Sequence, residues 1–195
     1  MKFSILAIAA ATAIAATSAG AVTVTGATKI QITNAVPTWL QVAEVQAFNF
    51  SATNVALSSN GGLATGSSTY DGTTPAARAN DGNTGGSYGS GEIFHSGSPS
   101  GSEFLNITFG AANLSSLSIF GRTDCCNDRD VYNVTVFNAA GATLYSGQLS
   151  AVGQTATVSF DAAAAAPEPA SWALMVMGFG LVGFAARRRS ATVAA

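Results

Sequence analysis

The sequence predicts an all-β domain, a jelly-roll β-sandwich, held between two apolar targeting segments. Short runs rich in Val, Ile, Thr and Phe recur between clusters of Gly, Ser, Asn and Asp, and no run extends into the 3.6-residue periodicity of a long helix. The clearest runs alternate at period two, as half-buried strands do. Seven or so strands punctuated in this way fit a sandwich or jelly roll.

In chain order the predicted strands are 29–33, 40–48, 104–109, 117–121, 131–137, 143–147 and 155–160. Within 131–137, Val134 shares one face with Tyr132 and Val136, which makes that face the inward one. Residues 57–102 interrupt the rhythm with Gly, Ser, Asn and Thr. A stretch of this length is uncommon in a compact domain unless it works as a binding loop, holds an ion or is disordered. The reading adopted is binding loops at one end of the sandwich, with disorder as the alternative for 57–68, where glycine and serine dominate.

The two ends of the chain have a different character. Lys2, an uncharged apolar run and the small residues Ala19, Gly20 and Ala21 form a secretory signal peptide over 1–21, so the exported domain starts near Val22. Residues 162–169 read as a linker ending in Pro167, Glu168 and Pro169. Residues 170–186 carry no charge and are followed by Arg187, Arg188 and Arg189. Seventeen helical residues span roughly 25 Å, at the short limit for a bilayer, and the arginines place the C-terminus on the cytoplasmic side. Residues 170–189 are therefore predicted to be a transmembrane helix with a basic end. The domain at 22–161 keeps four cations, Lys29, Arg78, Arg122 and Arg129, against nine carboxylates, a formal charge of −5. That balance excludes nucleic acid and anionic membrane as partners of the domain.

The Pro-Glu-Pro triplet, the hydrophobic run containing Trp172 and the basic cluster together resemble the PEP-CTERM sorting signal of Gram-negative bacteria. The resemblance implies processing by an exosortase-type membrane protease and delivery to the cell surface, the outer membrane or the extracellular matrix, in company with exopolysaccharide and biofilm systems. The sequons at Asn49, Asn106, Asn113 and Asn133 are read as strand-forming polar residues rather than glycosylation sites.

Residues 122–129, RTDCCNDR, hold both cysteines of the chain between two of the domain's four cations. Three readings of Cys125 and Cys126 are open. Export favours a disulfide between the adjacent pair, although their Cα atoms, about 3.8 Å apart, lie below the usual range for such a bond. A metal site would draw on two adjacent thiolates and His95, the one histidine, and would lack a ligand. A catalytic Cys-His pair is the third. Arg122 and Arg129 bring rigid fans of donors, and Asp124 is expected to brace one of them while leaving other donors free for a ligand. Donors for hydroxyl oxygens beside an apolar sulfur surface suit a sugar. No carboxylate pair or Ser-His-Asp arrangement is legible, so no enzymatic activity is predicted.

The segment is similar to the R-x-D-C-C-x-x-R motif of fucose-binding lectins of the fucolectin type, a branch of the discoidin and coagulation-factor C-domain jelly rolls with a galactose-binding-domain-like fold. KIQITNAVPTWLQVAEVQAF looks like the opening strands of that family, and Ala79-Asn80-Asp81-Gly82-Asn83 like its A-x-DGN loop. The chain lacks the family's further cysteines and carries Phe104 where tryptophan is common. The resemblance implies that His95, Arg122 and Arg129 bind the hydroxyls of a fucose-like sugar, with a Cys125–Cys126 disulfide against its apolar edge. It also implies a structural Ca2+ near Asp81 and Asn83, which by themselves offer oxygen ligands two residues apart, or simply an Asx turn. The expectation is an exported, surface-directed carbohydrate-binding module linked to exopolysaccharide or biofilm matrix. The alternative is a structural surface or matrix protein on the same scaffold, its arginines paired with Asp124, Asp128 and Asp130.

Overall fold

The computed structural model describes residues 22–163 and 175–179. The predicted signal segment at 1–21, the Pro167-Glu168-Pro169 triplet and Arg187, Arg188 and Arg189 lie outside the described residues. The chain divides into two units between Ala162 and Ala163. In the second, residues 175–179 are helical and fall inside the predicted span at 170–189. Among the described residues no helix is long and apolar enough to cross a membrane.

The first unit is built from antiparallel strands. Apolar side chains at alternate positions bury one face of β1 (Val24–Asn34), β3 (Glu44–Asn49) and β7 (Val131–Asn138), and Tyr132, Val134 and Val136 share the inward face of β7 as the alternation predicts. Between them runs β6 (Phe104–Phe120), seventeen residues long. Its first part lies between β4 (Leu63–Gly66) and β1, and its last part between β3 and β9 (Thr155–Ser159). Beyond β1 the sheet continues through β7 to β8 (Thr143–Ser150). Ile30 and Ile32 of β1 pair with Ile107 and Leu105 of β6 on one side and with Val136 and Val134 of β7 on the other. Both parts of β6 feed one buried cluster that includes Leu105, Ile107, Leu117 and Ile119, so the strands wrap around a single core.

Two differences from the sequence expectation concern strand extent. The predicted strands at 104–109 and 117–121 are one strand, because the small residues Gly110, Ala111 and Ala112 continue it without interruption. The predicted strand at 40–48 is split into β2 (Gln41–Val42) and β3. Ala43, between them, donates its N–H to the Phe120 carbonyl at the end of β6 (2.8 Å).

The segment 57–102 is ordered by hydrogen bonds rather than by an apolar pattern, so the disorder reading of 57–68 does not hold. It contains β4, β5 (Phe94–His95) and short 3-10 turns at Ser58–Asn60 and Ala76–Asn80. Buried Asn80 donates to the Ala56 carbonyl (3.0 Å), and the Ser67 and Ser68 hydroxyls both donate to the Glu103 carboxylate at the head of β6. Gly62 sits against the backbone of Ala56 and Leu57, where a Cβ would collide. Gly62→Ala is expected to destabilise the protein by about 1–3 kcal/mol through overpacking. Gly101→Ala, whose added methyl meets open space, should change stability by less than about 0.5 kcal/mol, both read from urea unfolding midpoints.

Candidate functional site

A short ladder sets the first half of the site. β2 pairs with β5 so that Gln41 stands opposite His95. The His95 Nδ1–H donates to the Ser96 carbonyl (2.8 Å), which leaves Nε2 unprotonated to accept from the Gln41 side-chain amide (2.9 Å). Burial lowers the His95 pKa, and the charges of Arg122 and Arg129 push the same way against the Ser96 carbonyl and Asp71. The imidazole is neutral at pH 7. Around it stand Tyr70, Tyr88 and Trp39, with ring centroids 4.7, 5.6 and 6.3 Å from the His95 ring. The Tyr88 hydroxyl donates to Asp71 (3.1 Å), whose carboxylate is held at about 2 chiefly by the Thr73 hydroxyl and N–H.

The second half comes from the segment that follows β6. Arg122 donates its backbone N–H to Asp130 Oδ2 (2.7 Å) and its Nε–H to Asp124, and its guanidinium carbon lies 4.8 Å from the Tyr88 ring centroid. Asp124 also accepts from the Gly89 N–H (3.1 Å), so it braces both the arginine and the glycine-rich loop. Arg129 ends the 3-10 turn Asn127–Arg129, with its guanidinium carbon 5.4 Å from the Trp39 ring centroid and no ion pair among the described residues. The pairing of both arginines with acids, expected for a pure scaffold, is met by Arg122 alone.

Cys125 and Cys126 form a disulfide across adjacent residues. The bond occupies both sulfurs, so neither is a thiolate ligand or a nucleophile. Cys126 adopts a left-handed backbone (φ 59°), and its carbonyl accepts from the Arg129 N–H (3.1 Å), so the bridged pair shapes the turn that delivers Arg129.

Trp39, Gln41, Tyr70, Tyr88, His95, Arg122 and Arg129 line one open cavity of about 210 Å³. The structure thus brings His95, Arg122 and Arg129 to one cavity. It places Cys125 and Cys126 on the exposed loop between the arginines, outside this lining. Four lining residues were not singled out from the sequence. Three are aromatic, and each stands in or beside a stretch rich in turn residues, which is the signal that could have marked them.

Asp81 and Asn83 form successive Asx turns: Asp81 Oδ1 accepts from the Asn83 N–H and Asn83 Oδ1 from the Gly85 N–H, each at 2.9 Å. Fully buried Glu44 accepts from the Gly82 N–H through one oxygen, while the other has no partner among the described residues. Burial raises its pKa to about 7. Among the described residues no three His, Cys, Asp or Glu side chains cluster as a ready metal site.

Behind the cavity the fully buried Asp130 carries the whole arrangement. Its Oδ2 holds Arg122, and the Tyr132 hydroxyl reaches both Asp130 Oδ1 (2.9 Å) and the Gln41 carbonyl. One hydroxyl proton cannot fully serve two acceptors. A proton on Asp130 completes the set, donating to Tyr132 while Tyr132 donates to Gln41, and burial does raise the Asp130 pKa, to about 6. The folded value exceeds the unfolded one, so this contribution to stability is complete below about pH 4 and is lost as pH rises through 6. Asp130→Asn mimics the protonated carboxyl, so its stability relative to the parent should improve by about 2 kcal/mol between pH 4 and pH 8, measured by denaturant titration.

A family of known proteins matches only the end of the chain: residues 165–189 fit the PEP-CTERM protein-sorting motif. No curated protein and no solved structure matches the chain significantly.

Proposed function

We propose that this chain is an exported, surface-sorted carbohydrate-binding module without catalytic activity, on a jelly-roll scaffold of the galactose-binding-domain kind. Its C-terminal PEP-CTERM motif implies exosortase processing and sorting to the surface of a Gram-negative bacterium. The observation that carries the sugar reading is the joint lining of one cavity by two arginines, a neutral histidine, a glutamine and three aromatic rings. Arg129, which has no acid partner among the described residues, and the free donors of Arg122 address hydroxyl oxygens. Aromatic faces cover the C–H surface of a pyranose. The volume of about 210 Å³ suits one sugar unit. Fucose fits the R-x-D-C-C-x-x-R pattern, in which the bridged cysteines lie between the two lining arginines in sequence.

A second reading, a matrix protein that keeps the scaffold without a sugar site, draws on specific contacts. Asp124 engages Arg122, and both His95 nitrogens are already hydrogen-bonded. Calorimetry with fucose and other neutral monosaccharides separates the two. Weak saturable binding that falls at least about tenfold in the Arg122→Ala/Arg129→Ala variant is expected, as loss of charge-assisted hydrogen bonds predicts. No saturable binding by the parent, with the double variant indistinguishable from it, would establish the scaffold reading.

We also propose a structural Ca2+ at the Asp81–Asn83 loop. The donor chemistry is suitable, all oxygen, and Glu44, which accepts from the Gly82 N–H of the loop, has a second, buried oxygen with no hydrogen-bond partner among the described residues. Bound there, the ion would tie this loop to β3 and stabilise the fold. Millimolar Ca2+ is expected to raise the melting temperature by several degrees, as about 2–3 kcal/mol of linkage requires, and Asp81→Ala should remove that shift. An identical melting temperature in calcium and in chelator would exclude the ion.

A further inference from the structure

A cavity of about 560 Å³ lies apart from the arginine pocket and shares none of its lining. Its floor is the middle of β6. At Leu114 both Val24 of β1 and Asn49 of β3 pair with β6, so β3 flanks the edge away from β1, and β4 flanks the same edge over 105–108. Between the ends of β4 and β3, residues 109–113 pair with no strand on that edge among the described residues. The backbone edge there is bounded at both ends by strands.

The walls have a definite chemistry. No charged side chain lines the cavity. Asn49 and Asn113 accept backbone N–H groups through Oδ1, at 2.9 and 3.0 Å from Thr53 and Gly26, and among the described residues neither Nδ2 has a protein acceptor. Asn60 donates Nδ2 to the Asn54 carbonyl (2.8 Å), which leaves its Oδ1 free to accept. Phe50 lines the same cavity and is 50 % exposed. Its turn is closed by bonds from Ser51 and Thr53 to Asn49 Oδ1 and from Ala52 to the Asn49 carbonyl, with Ala52 at φ 57°. A rigid turn that holds an aromatic ring half in solvent contributes little to the core and preorganises a contact face.

We propose that this groove is a second binding site, for a neutral oligosaccharide of about two or three units, distinct from the arginine pocket and independent of it. Hydroxyl groups, which both donate and accept, complement free amide donors beside a free amide acceptor. Phe50 covers a pyranose face, and the absence of charge disfavours acidic ligands. An exported domain with two sites of this kind would cross-link polysaccharide chains rather than merely attach to one.

The test uses the protein carrying Arg122→Ala and Arg129→Ala, with maltotriose, cellotriose and laminaritriose titrated separately by calorimetry. Saturable binding of at least one trisaccharide is expected to persist in this background. Adding Phe50→Ala should weaken it about fivefold. Adding Gly110→Leu, whose Cβ meets open space on the groove floor, should abolish it, while circular dichroism and the melting temperature stay those of the background. Loss of all trisaccharide binding in the double-arginine background would overturn the second site and leave the arginine pocket standing. Binding that persists unchanged with Phe50→Ala and Gly110→Leu would overturn it as well. Failure of the arginine-pocket reading is recognised separately, by monosaccharide binding that the double-arginine change does not alter.

Discussion

The geometry of the arginine pocket hangs on one buried carboxyl group. Asp130 has no exposed surface, yet it receives the Arg122 backbone N–H and the Tyr132 hydroxyl, and through Tyr132 it reaches the Gln41 carbonyl. Gln41 positions His95 across the β2–β5 pair. Burying a polar group without hydrogen-bond compensation is costly, so the chain must keep these partners in place. Gly121 shows how tightly: a Cβ there would strike Asp130 and the Ala151 carbonyl. The rigidity of the pocket is thus inherited from the interior, and the loops around it can be rich in glycine and serine without being loose.

The same constraint explains why the pocket tolerates its charges. Arg122 is neutralised in part by Asp124, and Arg129 lies near the Trp39 ring. Both arginines border an aromatic ring, which stabilises a cation without consuming its hydrogen-bond donors. His95 is kept neutral by burial and by its two cationic neighbours, so the pocket holds two fixed charges rather than three and keeps its character through neutral pH. The disulfide acts from the side: its left-handed Cys126 starts the turn that carries Arg129.

On a surface, weak single sites become useful by repetition. On the proposed reading, surface sorting of several copies would supply that repetition, and the uncharged groove along β6 would add a second point of attachment within each copy.

The sequence by itself determined that the domain is built of strands, which faces of those strands are buried, where the sorting motif lies, and that the scarce arginines and cysteines cluster around one segment. Alternation and composition are local properties, and they read directly, as Tyr132, Val134 and Val136 show. The order of residues 57–68 was not legible, because Asn, Ser and Gly give no apolar period while their hydrogen-bond partners, such as Glu103, lie far along the chain. Only the tertiary structure decided which side chains meet. It brought Trp39, Gln41, Tyr70 and Tyr88 to the arginines, set Cys125 and Cys126 outside the cavity lining, and left one edge of the middle of β6, between β4 and β3, unpaired among the described residues. The physical reason is that a site assembled from distant loops is specified by strand register and by a buried carboxyl group, and neither leaves a pattern in neighbouring residues.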